Sequence, residues 1–352
     1  MMISRLNSIE TECYIIDEYC LDNGMMSVHV ITYGASLTGI YIPSGIADNK
    51  INVLLSSQDL RSYVKNPWYA GASLGPTTGR IKDGIINFGK NKWQVMQNEG
   101  QHNIHGGFSS LSYTNTAVGN MSVSDDWVEI VFTTMLNHRQ DGFPGNRVIN
   151  ICYRLTKENR LLIRFNACSD QDTYLNLSNH AYFNLSGDFT TSVHNHYLTV
   201  YAKEYVANTT EHIPDSRQSV KGTPFDFREH HSFVDRIQQA SDNVQIQVAR
   251  GYNHAFILGQ KLWIMRKALV LEEPVSQRKL IMYTDAPAVV VYTGGFLGDD
   301  GEKQTSFNTK RNCAVAIEPQ DVPTYTGRVL NSVDIVRTGE LYQRNIQYEF
   351  SF

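Results

Sequence analysis

The side chains best suited to proton transfer lie in four short polar knots that interrupt apolar patterns. They are Gly79-Arg80, Asn103-Ile104-His105-Gly106-Gly107, Asn179-His180-Ala181-Tyr182-Phe183-Asn184-Leu185 and Glu318-Pro319-Gln320. In the third, His180 stands among two side-chain amides and two aromatic rings, straight after the alternating segment Tyr174-Leu175-Asn176-Leu177. Rings desolvate an imidazole and amides hydrogen-bond it; together they set its proton affinity near neutral pH and select the nitrogen that carries the proton. Such a group suits general acid work. In the fourth knot Glu318 follows Ala314-Val315-Ala316-Ile317 and so stands at the end of a buried strand, where desolvation raises a carboxyl towards a useful base. Each residue also has a plain structural reading: His180 as a buried histidine satisfied by Asn179 or by backbone, Glu318 as an exposed strand end, and Arg80 as a solvated loop charge. His105 reads equally as a turn residue, although the two glycines after it allow a ligand to approach the backbone closely. No metal-binding box is visible: His194-Asn195-His196 and His230-His231 lack nearby carboxylate or cysteine partners, so neither metal nor cofactor is expected.

Strands must position these knots. Residues 27–42 alternate and break at Gly34, after the hairpin-type turn Asp22-Asn23-Gly24. Period-two patterns over 127–134, 147–156 and 161–167 predict consecutive antiparallel strands. Further strands are predicted at 197–201, 245–249, 289–292 and 313–317, and the chain closes on Ile346, Tyr348, Phe350 and Phe352 alternating with polar neighbours. Two short helices are predicted: 56–64, a surface connection capped by Ser56 or Ser57, and 232–240. Residues 71–80 read as a glycine-rich loop holding the charge of Arg80. Many short strands with few short helices give an all-β fold, a large antiparallel β-sandwich. No repeat, low-complexity tract or proline-rich linker divides it, so residues 1–352 are read as a single domain.

The net charge of −4, with no lysine or arginine run, argues against a nucleic-acid or anionic-membrane partner. Tyrosine (19) far outnumbers tryptophan (4), which favours strands and sites for hydroxyl-rich ligands. The five cysteines lie in no CxxC or Cys/His spacing, so no disulfide framework or zinc site is expected. The first 22 residues lack a basic start with an apolar core, and no long apolar run occurs, so a cytoplasmic protein is expected.

In order along the chain, Ile31-Thr32-Tyr33-Gly34-Ala35, Gly79-Arg80, the Asn103 to Gly107 knot, the Asn179 to Leu185 knot, Gly251-Tyr252-Asn253-His254 and Glu318-Pro319-Gln320 with Pro323 together resemble the aldose 1-epimerase (mutarotase) family. The Asn-His-Ala-Tyr-Phe-Asn-Leu and Asn-Ile-His-Gly-Gly segments are the specific ones. The resemblance implies the large β-sandwich of the galactose mutarotase type. It also implies interconversion of the α and β anomers of a free hexose such as galactose or glucose by acid/base ring opening, without cofactor. His180 corresponds to the acid at the ring oxygen and Glu318 to the base at the C1 hydroxyl. Arg80, His105 and Asn253 correspond to sugar-binding positions, and Asn179 and Tyr182 are grouped with them. The implied partner is a small-molecule sugar, and the implied assembly a monomer or homodimer. The chain departs from the pattern at Asn253, where the family carries aspartate; at Asp83-Gly84, in place of an asparagine and a second arginine; and at Thr324-Tyr325 after Pro323. Competing readings are a mutarotase for a disaccharide or sugar phosphate and a non-catalytic sugar-binding protein. A retaining glycosidase would need a second carboxylate about 5–5.5 Å from Glu318.

Overall fold

Alternating apolar side chains carry this chain into antiparallel sheets, described by a computed structural model for residues 1–46, 49–88, 90–260, 264–299, 307, 309–324 and 334–352. Tyr325 lies outside these residues. Nine strands form the largest sheet, in the order Ala117–Val123, Trp127–Leu136, Arg147–Thr156, Arg160–Ser169, Tyr342–Ser351, Lys279–Thr284, Arg266–Glu272, Tyr197–Val200 and His231–Ser232. A six-stranded sheet runs Tyr182–Phe183, Val315–Gln320, Ala288–Tyr292, Asn253–Ile257, Glu204–Asn208 and Pro214–Ser219. Ile149, Ile151, Tyr153, Ile163, Phe165, Ile346 and Tyr348 of the first sheet join Phe183, Phe256, Val289, Val291, Val315 and Ile317 of the second in one buried cluster. The layers touch directly: the Phe183 and Tyr348 rings lie 5.1 Å apart, and the Tyr348 hydroxyl donates to the Ile317 carbonyl at 3.4 Å. This is the expected all-β sandwich of two packed sheets.

The N-terminal part adds a five-stranded sheet: Met2–Glu10, Ile15–Asp22, Ser27–Ile31, Ser36–Pro43 and Lys50–Asn52. The turn at Asp22-Asn23-Gly24 falls where expected, with Asn23 Oδ1 accepting from the amides of Met25 and Met26. Gly34 breaks the pattern for a steric reason. Its φ is +65°, and a Cβ there would lie 2.7 Å from the Ser112 carbonyl oxygen.

Several local expectations need correction. Residues 245–249 belong to the helix Val244–Ala249, not a strand. Asn243 caps it by accepting from the amides of Gln245 and Ile246, and Ile246 and Ala249, three apart, are its buried residues. The polar-apolar alternation there imitates a strand because the helix is short. The helix over 56–64 is the 3₁₀ helix Leu60–Lys65, capped by Asp59 rather than by Ser56 or Ser57. The second predicted helix is Phe233–Gln238 with Ser232 as its cap. The strand Met2–Glu10 lacks a buried alternating face and was not legible as one. No helix among the described residues is long and apolar enough to cross a membrane.

Candidate active site

The strand Val315–Gln320 has two unlike faces. Val315 and Ile317 point into the core, so Ala316, Glu318 and Gln320 face the other way. Ladder register fixes their neighbours: Glu318 stands opposite Val290, Val290 opposite Ala255, and Ala255 opposite Val206. One row further on, Tyr182, Ala316, Tyr292 and Asn253 are paired in succession. This face is the floor of a cavity of about 1090 Å³. Glu318 therefore lies within the strand, not at its end, and is only 4% exposed. Its apolar surroundings push the carboxyl up to about 8, with Arg80 pulling the other way.

His180 is brought to this carboxylate by its main chain, which is pinned on both sides. Its amide donates to the Ala72 carbonyl at 2.9 Å, and its carbonyl accepts from Gly71 at 3.0 Å. Nε2 lies 3.4 Å from Glu318 Oε1. The ring stacks on Tyr182 at 4.7 Å, meets His105 edge-on at 5.3 Å and faces Tyr69 at 6.3 Å. Sequence reasoning placed its proton affinity near neutral pH. Burial instead drives it down to about 3, because a ring enclosed by other rings loses the water that would stabilise its charge. Burial thus disfavours the charged form of both groups, raising Glu318 and lowering His180.

His105, on the opposite wall, has a left-handed backbone (φ +49°). Its Nδ1 accepts from the Gly79 amide at 3.2 Å, and its own amide donates to the Gly79 carbonyl at 3.1 Å. A neutral imidazole accepting at Nδ1 carries its proton at Nε2, so His105 is fixed as an Nε2–H donor. Desolvation, with His180 and Arg80 nearby, holds it neutral. The glycines after it serve packing rather than ligand approach: a Cβ on Gly106 would lie 2.6 Å from the Gly75 carbonyl oxygen.

Arg80 lines the cavity as expected, yet it is not a solvated charge: its guanidinium holds both oxygens of Glu99 at 2.5 and 2.7 Å. Asn253 and Tyr182 also line the cavity. Asn253 is anchored through its carbonyl, which accepts from Asn208 Nδ2 at 2.8 Å. Asn179 does not reach the cavity. Its Nδ2 donates to the Gly71 carbonyl and to the Tyr153 hydroxyl at 2.8 and 3.3 Å, bracing the loop beneath His180. The reason is strand alternation, which turns neighbours of His180 the opposite way.

Other cavity residues were given no site role from the sequence. Gln320 is 2% exposed, lines the cavity and has an Oε1 with no hydrogen-bond partner among the described residues. Its position two residues from Glu318 was the available signal. Tyr69, Tyr113, His212, Tyr292 and Phe296 supply ring surface from four separate segments, and only folding brings them together. The 3₁₀ helix is more than a surface connection, since Arg61, Ser62 and Lys65 reach the cavity mouth. His105, His180 and Glu318 each place a donor atom within 4.8 Å of the others, a set able to hold a cation that sequence spacing did not reveal. A cation using His105 would have to displace either the Nε2 proton or the Gly79 bond.

The arrangement offers a proton donor and an acceptor a few ångströms apart in a buried, tyrosine-lined cavity. The family model for aldose 1-epimerase matches residues 17–349. The chain is 30% identical over 286 residues to the aldose 1-epimerase of Escherichia coli K12, covering 81% of this chain and 80% of that one. It is 25% identical over 341 residues to the galactose mutarotase of Bos taurus, covering 96% and 94%. Among solved structures, galactose 1-epimerase from Lactobacillus acidophilus NCFM superposes with a TM-score of 0.87 at 26% identity, covering 99% of this chain and 98% of that one. With the family model spanning nearly its whole length and a galactose epimerase sharing its architecture, this chain belongs to the aldose 1-epimerase family of isomerases.

Proposed function

We propose that the protein interconverts the α and β anomers of a free hexose, with galactose or glucose as first candidates, and that His180 and Glu318 move the protons. The observation that carries this reading is the 3.4 Å approach of His180 Nε2 to Glu318 Oε1 in the buried floor of the cavity. In a pyranose the ring oxygen and the anomeric hydroxyl share C1, so a donor and an acceptor this close reach both at once.

Ring opening begins with Glu318 ionised and His180 protonated. Glu318 takes the proton of the C1 hydroxyl, the C1–O5 bond breaks, and His180 gives its proton to O5. The products are an open aldehyde, a neutral carboxyl and a neutral imidazole. Rotation about C1–C2 presents the other carbonyl face, and reclosure reverses both transfers. The proton arrangement that burial favours, neutral His180 beside protonated Glu318, is the one that the open aldehyde leaves behind. A cyclic sugar therefore requires one proton to pass from Glu318 to His180. Arg80 favours that transfer by supporting the carboxylate. Nε2–H of His105 and the amide of Gln320 donate to sugar oxygens, and the Tyr182 ring holds the imidazole in place. The test is polarimetry of freshly dissolved α-galactose and α-glucose, in which the protein should speed the approach to equilibrium rotation.

Because this route uses only proton donors and acceptors, dialysis against a chelator should leave the rate unchanged. Activity lost to chelator and restored by added metal would instead make the His105, His180 and Glu318 set a metal centre.

Asn253 gives a second expected result. A carboxylate accepts from a hydroxyl with charge assistance, at about twice the strength of a neutral bond. Asn253→Asp should therefore lower KM for galactose or glucose with little change in kcat, since this position holds the sugar without moving its protons. A uniform rise in KM across several aldoses would show that the substrate uses the donor side of the amide.

A disaccharide is the second reading, and cavity size favours it. A volume near 1090 Å³ lies just above the roughly 300–1,000 Å³ usual for small-molecule sites. Faster mutarotation of maltose than of glucose would select this reading.

A further inference from the structure

Removing charge from a cation next to the reacting groups has a consequence for which sugars the cavity admits. Both carboxylate oxygens of Glu99 are engaged by Arg80, and both residues line the cavity. Glu99 is held there by its surroundings. It exchanges main-chain hydrogen bonds with His102 at 3.1 and 2.9 Å. The preceding side chain, Asn98, clamps the amide and carbonyl of Ile104 at 2.8 and 3.0 Å. Ile104 is in turn the ladder partner of Arg80. Glu99, Arg80 and His105 thus belong to one braced unit.

Binding neutral hydroxyls does not need the carboxylate, because a guanidinium donates equally well without it. What Glu99 changes is the net charge met by an incoming group. An unpaired guanidinium is a ready receptor for carboxylate or phosphate, whereas the same group closed on both oxygens of Glu99 presents a neutral pair. Glu99 is partly exposed, with 39% of its side chain accessible, so an anion reaching Arg80 also meets a carboxylate. Of the other cations on the wall, Arg61 lies 3.8 Å from Asp59, and Lys65 stands exposed at the end of the 3₁₀ helix. Lys65 can attract an anion at the mouth without holding it beside Glu318.

We propose that Glu99 is a specificity-determining residue that closes the inner cavity to anionic aldoses, hexuronates and hexose phosphates, by neutralising Arg80. Neutral sugars still use the remaining N–H groups of Arg80. This rests on the cavity being a sugar site.

The experiment is calorimetric titration of wild type, Glu99→Gln and Glu99→Asp with galactose and with galacturonate, with wild-type mutarotation of galactose measured in parallel. Glu99→Gln should bind galacturonate about tenfold tighter, relative to galactose, than wild type does, and the gain should shrink as salt is raised. Glu99→Asp, which retains the charge, should stay near wild type. The proposal is overturned if the galacturonate to galactose ratio stays within about twofold in Glu99→Gln, or if both sugars weaken equally, the mark of a purely positional role. If wild type turns over galactose and the ratio does not move, only the role of Glu99 falls. If wild type neither binds nor interconverts a neutral aldose, the sugar reading falls, and galacturonate binding to Glu99→Gln against wild type still decides whether Glu99 excludes anions.

Discussion

Glu318→Gln is expected to lower kcat by at least about 10²-fold with the fold intact, because a positioned proton donor or acceptor typically contributes about 10² to 10⁴ in rate. The amide fills the same space opposite Val290 and can still donate to or accept from a sugar oxygen, but it cannot take a proton from the C1 hydroxyl. KM should change less than kcat, since the lost interaction belongs to the transition state. His180→Asn is expected to cost a similar factor. Combining the two should cost little more than either alone, because one shuttle is broken in each case. Stopped-flow or conventional polarimetry under saturating sugar measures all three. Near-normal kinetics in either single variant would remove the acid/base assignment while leaving family membership untouched.

The second large effect concerns stability and pH in the absence of sugar. Burial raises Glu318 from an ordinary 4.5 to about 8, so the folded protein holds a proton that the unfolded chain has released. That stabilisation is fully present below 4.5 and is lost progressively as pH rises through about 8. His180 works in the opposite sense. Its fall from 6.5 to about 3 gives stability that is present above 6.5 and lost as pH falls through about 3. Between 4.5 and 6.5 the two slopes offset each other, and from 6.5 to 8 only the Glu318 slope remains. Wild type should therefore lose on the order of 1 kcal/mol of unfolding free energy over that last interval, because the limiting slope of about 1.4 kcal/mol per pH unit fades as each group passes through its own titration. Glu318→Gln should not lose it. Urea unfolding of both proteins at a series of pH values is the measurement, and parallel curves would show that Glu318 is ionised in the folded protein.

Sequence patterns carried most of the fold, for a physical reason that particular strands illustrate. The expected strand over 147–156 matches Arg147–Thr156 because that strand alternates without interruption, with Ile149, Ile151, Tyr153 and Leu155 buried. Residues 245–249 failed because five residues sample a two-residue and a 3.6-residue period almost equally well, and the Asn243 cap was overlooked. His180 and Glu318 were legible as the proposed acid/base pair because they interrupt apolar strands. Their proton affinities were not, since these depend on enclosure by Tyr69, Tyr182 and His105, which come from three distant segments. Glu99 was missed for a similar reason: nothing in Asn98-Glu99-Gly100 announces that a ladder pair between Ile104 and Arg80 will place the carboxylate on the guanidinium.

The two-faced strand Val315–Gln320 also bears on how such an enzyme changes over evolutionary time. Its inner face is part of the buried cluster shared by both sheets, so Glu318 cannot be repositioned without repacking Val315 and Ile317 against Phe183 and Tyr348. The mouth is built differently, from the 3₁₀ helix carrying Arg61 and Lys65 and from the loop carrying His212. Replacements at the mouth leave the sheet ladders intact and touch only the part of a sugar that lies away from the reacting carbon. New sugar preferences should therefore accumulate there, in lineages whose floor stays nearly invariant, and directed evolution for an altered substrate should return its first successful changes from the mouth.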